Sequence, residues 1–276
     1  FVEPEAVMVL KPGRTHGEFV MFCRERDPEK EMWDGGIVGP EGVCEYFGAD
    51  DAFPISDIDE ILPGLIEGCD KLYYSMGSNP DFDKRVMEWI NVIRSKVRNG
   101  AQPPNEFIVL DHFLHDLRLY KSKKEIQIMK KAGRISAEAH AAAMKACAAG
   151  MMEYQLEGVY LQHFIQNGCR SPAYPSIVGG GANACTLHYI DNEQELLSGD
   201  LVLVDAGCEY QYYAGDITRT YPVNGHYSKE QRAIYEIVLE AQFAAIAQVK
   251  PGNHWDQPHQ AAVEVILASP ARSRPL

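Results

Sequence analysis

Apolar positions follow two different rhythms along this chain. Residues 6–10 and 18–23 are short apolar runs parted by Pro12-Gly13, a pattern that predicts a strand, a turn and a strand. Further on, Val86, Trp89, Ile90, Ile93 and Val97 recur at steps of three and four, so residues 82–97 are expected to be helical, as are residues 57–66. Strands mixed with helices define an α/β (α+β) domain. The run 107–110 closes it after a linker at Asn99-Gly-Ala-Gln-Pro-Pro104, which puts a first domain at 1–115 and a second at 116–267.

The second domain opens on Ser122-Lys-Lys-Glu125, the form of a capping box in which serine and glutamate satisfy each other's backbone amides. Ile126, Met129, Ala132, Gly133, Ser136, Ala137 and His140 then fall on one face of a helix expected to reach residue 149, with Gly150 as its stop. A second helix is expected over 153–167. A third follows a second capping box at Ser228-Lys-Glu-Gln231, and residues 260–267 read as helix. Between the second and third helices, strands are expected at 176–178, 187–190, 201–205 and 212–221, with a turn at Gly179-Gly180-Gly181.

Composition narrows the class. The chain has 276 residues, 46% hydrophobic and 24% charged, and a net charge of −13. That surplus of carboxylates argues against nucleic acid, which demands a basic face. No apolar run reaches the roughly 18 residues of a membrane span. Seven cysteines, an odd number with no C-x-x-C pair, read as reduced thiols in a cytoplasmic setting rather than a disulfide framework. The first residues, Phe1-Val-Glu-Pro-Glu5, are not a signal peptide. They also lack an initiator methionine, so the chain is expected to begin inside a larger protein.

The densest chemistry lies in Asp200-Leu-Val-Leu-Val-Asp205-Ala-Gly207 and Gly215-Asp216-Ile-Thr-Arg-Thr220. Leu201 to Val204 are all apolar, which suggests burial on both faces, and Asp205 follows directly on them. A carboxylate at the edge of a core is costly unless it is paired or bound to a cation. A simple hairpin turn at Tyr210-Gln211 would set Asp205 directly opposite Asp216, their Cβ atoms about 4.5–5.5 Å apart. Two such carboxylates repel when both are ionised, and one or two cations remove that penalty, with hard or borderline ions such as Mn²⁺ suited to oxygen donors. The alternative stays open: both aspartates could be turn or cap residues, with Asp216 paired to Arg219.

Asp205-Ala-Gly-Cys-Glu-Tyr210, Tyr213-Ala-Gly-Asp-Ile-Thr-Arg-Thr220 and Pro222-Val-Asn-Gly225 resemble the core of bacterial-type Xaa-Pro aminopeptidases. The likeness runs back through Thr186-Leu-His188-Tyr189, the Gly179 to Gly181 turn and Arg118-Leu-Tyr-Lys-Ser122 to Glu3-Pro-Glu-Ala6. It implies a creatinase-like N-terminal domain before a pita-bread catalytic domain. It implies two divalent ions, most often manganese, with Asp205 on one and Asp216 bridging both. It makes His188 a catalytic and substrate-binding histidine, although on its own an apolar-flanked histidine reads as a strand or core residue. Tyr174 lies in the segment that lines the family's site.

The activity implied is removal of an N-terminal residue that precedes proline, by attack of a hydroxide held between the metals. A homo-oligomer is implied as well, with Trp33 and nearby loops as possible contacts, though a tryptophan is as often packed in a core. A prolidase-type dipeptidase and a metal-free peptide-binding module share the fold and remain alternatives. The family's other ligands, one histidine and two glutamates, are expected beyond the end of this chain, so the site is expected to be incomplete and the piece alone inactive or weakly folded. His254, His259 and Glu264 receive no ligand role. The stretch 268–276, with Pro270 and Pro275, is expected to break the last helix as an atypical tail.

Overall fold

The computed structural model describes residues 1–269. The chain divides into two compact units, Phe1–Tyr120 and the residues from Lys121 onward. Each is a mixture of helices and small sheets, as expected of an α/β chain.

In the first unit, β1 (Val7–Leu10) and β2 (Phe19–Cys23) form the antiparallel pair read from the sequence. Two short helices follow, α1 (Pro28–Asp34) and α2 (Gly39–Phe47), and then β3 (Asp51–Pro54), which lies parallel to β2. After α3 (Ile58–Ile66) come β4 (Lys71–Tyr73), α4 (Pro80–Ser95), β5 (Glu106–Ile108) and α5 (Asp111–Leu119). The spacing seen in α4 is realised as far as Ile93, with Val86, Trp89, Ile90 and Ile93 buried with Ile58, Leu62 and Ile66 of α3, whereas Val97 lies past the end of the helix and is exposed. The Trp89 indole N–H donates to Asp59 Oδ1 at 2.8 Å and ties the two helices together. Trp33 is not a core residue; it stands exposed on α1.

The second unit begins with α6 (Lys123–Ala146), started by the capping box foreseen: Ser122 Oγ accepts from the Glu125 N–H at 3.3 Å and Glu125 Oε2 accepts from the Ser122 N–H at 2.5 Å. The helix stops at Ala146, before the expected residue 149, because Cys147 turns extended and its N–H closes on Ala143 O. Next come α7 (Glu153–Gln166), β6 (Ile177–Gly180), β7 (Leu201–Asp205), β8 (Glu209–Tyr210), β9 (Tyr213–Ala214), β10 (Thr218–Pro222), α8 (Lys229–Ala247) and α9 (Gln257–Ala268). The second capping box, Ser228 with Gln231, starts α8. The expected tail falls outside the described residues from 270 on.

The sheet of this unit is antiparallel, in the order β10-β7-β6. One face packs on α6 and α7, burying Ile135, Ala139, Leu156, Tyr160 and Phe164 against Val178, Val202 and Val204. Each such valine contributes about 1.5–3 kcal/mol by burial. The other face is not covered to the same degree. Leu201, Leu203 and Asp205 are only half-buried where Val202 and Val204 are fully buried, so β7 alternates and is not buried on both faces as its composition suggests. Two further strand expectations fail. Residues 187–190 form a turn and open chain, with Leu187 and Ile190 exposed, and 212–221 is two strands broken at Gly215–Ile217. The glycine run is part strand: β6 continues through Gly179 and Gly180 before turning.

Candidate metal centre

Asp205 ends β7, the central strand, between Ile177 on one side and Thr218 on the other. The hairpin continues beyond it in one register. The Ala206 N–H donates to Ile217 O at 3.2 Å, the Gly215 N–H donates to Cys208 O at 2.8 Å, and Tyr210 faces Tyr213. The turn therefore falls on Gln211-Tyr212, one residue later than expected, and both residues have positive φ, 48° and 68°. That is the hand of a two-residue hairpin turn, made here without the asparagine or glycine that would have marked it.

This corrects the expected pairing, since Asp205 faces Thr218 and not Asp216. The displacement is two residues, and side chains alternate with a period of two, so Asp216 keeps to the face of Asp205 as its diagonal neighbour, a separation of about 7–8 Å in a regular ladder. Tyr174 spans the diagonal. Its hydroxyl lies 2.6 Å from Asp205 Oδ1 and 3.1 Å from Asp216 Oδ1. The segment before it fixes its place, because the Ala173 N–H donates to Gly207 O at 2.9 Å and the Glu209 N–H to Ser171 O at 3.2 Å. Burial and the hydrogen bond to Asp205 push the Tyr174 phenol above its ordinary range, so it keeps its proton and acts as a donor. Asp216 is exposed and joins no ion pair among the described residues; Arg219 instead donates to Thr218 O at 2.7 Å.

Backbone contact sets the distance between the two strands. A Cβ on Gly207 would stand 1.7 Å from Gly215 O, and one on Gly215 would stand 2.3 Å from Ser136 Oγ. Helix α6 grips the same hairpin from the core. Ser136 Oγ accepts from the Cys208 N–H at 3.1 Å, and His140 Nε2 lies 3.2 Å from Ala206 O. Nearer the start of the helix, Lys131 Nζ donates to the Tyr210 hydroxyl at 2.7 Å, and the Tyr213 hydroxyl donates to Glu125 Oε1 at 2.5 Å. The carbonyl can only accept, so His140 carries its proton on Nε2, and its Nδ1 accepts from the Tyr160 hydroxyl at 2.9 Å. Burial lowers the pKa of His140, which keeps the ring neutral in that role. The sequence had placed Ser136 and His140 on the apolar face of α6; polar residues there were the available signal that the face binds backbone.

His188 lies in the turn that replaces the expected strand. It is exposed, and it makes no hydrogen bond or ion pair among the described residues. Among the described residues, no hydrogen bond or ion pair joins it to Asp205, Asp216 or Tyr174. Of the expected site residues, hydrogen bonds link these three and do not reach His188.

The donors present are of the right kind for a hard divalent ion, oxygens from two carboxylates on one face. Two carboxylates are fewer than a full ligand set, and among the described residues no group of three His, Cys, Asp or Glu side chains is placed to hold an ion.

An antiparallel sheet backed by two helices, with a carboxylate pair on its hairpin, defines a class that comparison with known proteins makes specific. The profile of Metallopeptidase family M24 matches residues 127–272, and that of the aminopeptidase P N-terminal domain matches residues 1–73. The chain belongs to metallopeptidase family M24, and its second unit carries the pita-bread fold of that family.

The individual likenesses are close. The Xaa-Pro aminopeptidase of Escherichia coli K12 is 44% identical over 254 residues, covering 92% of this chain and 58% of the relative. The structure of Pseudomonas aeruginosa aminopeptidase PepP superposes with a TM-score of 0.97 at 59% identity, covering 99% of this chain and 62% of that one. Zinc-substituted Escherichia coli aminopeptidase P in complex with product superposes at 0.93 and 41% identity, covering 97% and 61%. The chain thus spans about three fifths of the length of each of these three proteins.

Proposed function

We propose that this chain is part of an aminopeptidase that releases the N-terminal residue of peptides with proline second, and that Asp205 and Asp216 are ligands to two divalent ions, manganese in this reading. The observation that carries the reading is the convergence of Asp205, Asp216 and Tyr174 on one face of the hairpin, within the residues matched by the M24 profile. Bound divalent ions supply Lewis-acid polarisation of the scissile carbonyl and acidify water near neutral pH.

The chain's own residues divide the remaining work. Tyr174 orients the pair, its hydroxyl donating to Asp205 and lying within reach of Asp216. His140 and Ser136 hold the hairpin that carries them. His188, exposed and without a hydrogen-bond or ion-pair partner among the described residues, is free to bind the substrate and move a proton at the scissile peptide. Selectivity is expected to rest on proline itself, which is compact and lacks an amide N–H. Seven thiols, none in a disulfide, support a cytoplasmic setting.

The test compares this chain with one extended over the remaining length of its relatives. Both are given Mn²⁺ and a free-amine Xaa-Pro-Xaa peptide, with Asp216→Ala and a chelator as controls. Cleavage by the extended chain alone, lost in Asp216→Ala, is the expected result. Cleavage by the shorter chain would show that every essential ligand already lies within it and that the account of the site as incomplete is wrong. Cleavage of Xaa-Pro dipeptides alone would move the assignment to a prolidase-type dipeptidase. Peptide binding without cleavage in either chain would make it a binding module.

A further inference from the structure

Glu153 is the first residue of α7, and it is fully buried. A buried carboxylate is costly unless its lone pairs are met; here they are met from four points along a single stretch of chain. Oε1 accepts from the Gly180 N–H at 2.8 Å and from the Asn183 side-chain amide at 3.2 Å. Oε2 accepts from the Tyr189 hydroxyl at 2.7 Å and from the Gln194 N–H at 3.0 Å. The Glu153 N–H donates back to Gln194 O at 2.9 Å. Its place at the positive end of α7 suits a carboxylate as well.

These partners lie on both sides of His188. Gly180 and Asn183 precede it, and Tyr189 and Gln194 follow it. Between them the chain has little of its own to hold it. Residues 181–185 form a single stretch of 3-10 helix, and 186–194 contains no strand. Asn192, buried at a φ of 52°, adds a second pin: its Oδ1 accepts from the Val178 N–H at 3.0 Å and its Nδ2 donates to Ser176 O at 2.9 Å. The His188 loop is therefore pinned by polar contacts, and four of them converge on one carboxylate.

We infer that Glu153 is a positioning residue for His188, fixing the loop that presents the imidazole to substrate. The inference rests on the reading of His188 given above. Glu153 touches neither substrate nor metal in this account. Glutamine in its place puts an amide where Tyr189 and Gln194 now donate, so one side of the clamp opens while the volume stays the same.

The first measurement is hydrogen–deuterium exchange on this chain, comparing Glu153→Gln and Tyr189→Phe with the parent. Exchange is expected to quicken across 181–195, with the amides of Gly180 and Gln194 as direct reporters, while α6 and β7 keep their protection. Tyr189→Phe removes one donor and leaves the others, so it remains informative if Glu153→Gln folds poorly. The second measurement is kinetic, in the extended chain. Glu153→Gln should lower kcat by up to about a hundredfold, the scale of a misplaced reacting group, with KM changed much less. The double variant Glu153→Gln/His188→Ala should be no slower than His188→Ala alone. Unchanged loop exchange in both single variants, or a double variant that loses the product of the two single losses, would overturn the inference. If His188→Ala alone leaves kcat intact, the role given to His188 fails, and the exchange data still decide whether Glu153 organises the loop.

Discussion

Tyr174 donates its phenolic proton to Asp205 Oδ1 at 2.6 Å, and the Tyr174 hydroxyl oxygen lies 3.1 Å from Asp216 Oδ1. The hydroxyl thus offsets negative charge at the point where the two carboxylates come together. Tyr174→Phe is predicted to destabilise the metal-free chain by about 1.5 kcal/mol, the scale of a hydrogen bond to a charged acceptor. Added Mn²⁺ should shrink that loss, since a cation takes over the compensation. Urea midpoints with and without Mn²⁺ test this; a deficit that does not change with metal would count against a cation between these aspartates.

The His140 ring links the hydroxyl of Tyr160 to the carbonyl of Ala206, one residue past Asp205. Removing the ring strands a buried donor and a buried acceptor together. His140→Ala is predicted to cost about 2–4 kcal/mol, and Tyr160→Phe about 1 kcal/mol. A double-mutant cycle should show a coupling above about 0.5 kcal/mol. Strictly additive losses in urea unfolding would mean that the two side chains act independently.

Gly207→Ala and Gly133→Ala should have opposite signs. The first puts a methyl 1.7 Å from the carbonyl oxygen of Gly215, and the second puts one in open space on α6. Gly207→Ala is expected to destabilise by at least about 3 kcal/mol, since backbone has no rotamer through which to yield. Gly133→Ala is expected to stabilise by about 0.5–1 kcal/mol through helix propensity. Thermal unfolding of the two variants is enough to check both signs.

Glu125 gives the second unit an acid limb. The hydroxyl of Tyr213, first, and then the backbone and side chain of Ser122 hold its carboxyl at about 2, against an ordinary 4.5. A folded-state value below the unfolded one means that the contribution is present in full above about 4.5 and is lost as pH falls toward 2. Glu125→Gln should therefore differ in urea midpoint from the parent by a constant amount near neutrality, and by less and less in acid. A difference that stays the same at every pH would contradict the assignment.

The long elements were legible because their signals are local. The Ser122–Glu125 and Ser228–Gln231 boxes announce α6 and α8 within four residues, and the steps of α4 lie on one face. The Leu187–Ile190 run was misread because its apolar composition imitates a strand, while Glu153, distant in sequence, holds its flanks as a loop. The aspartate register was misplaced for a comparable reason. The turn sits on Gln211 and Tyr212, residues that seldom take positive φ, so no turn chemistry marked it. The face shared by Asp205 and Asp216 survived the error only because the displacement was an even number. Nothing local could have tied Tyr174 to the pair, because that contact depends on the pairing of residues 171–173 with residues 207–209.

The pinch at Gly207 and Gly215 bears on ion choice. Two chains pressed together at their peptide atoms have a separation fixed by atomic radii, and no side-chain rearrangement widens or narrows it. Should Asp205 and Asp216 serve as ligands, as proposed, their own share in meeting ions of different radius would fall to their χ1 and χ2 torsions, carboxylates rotating over a rigid floor.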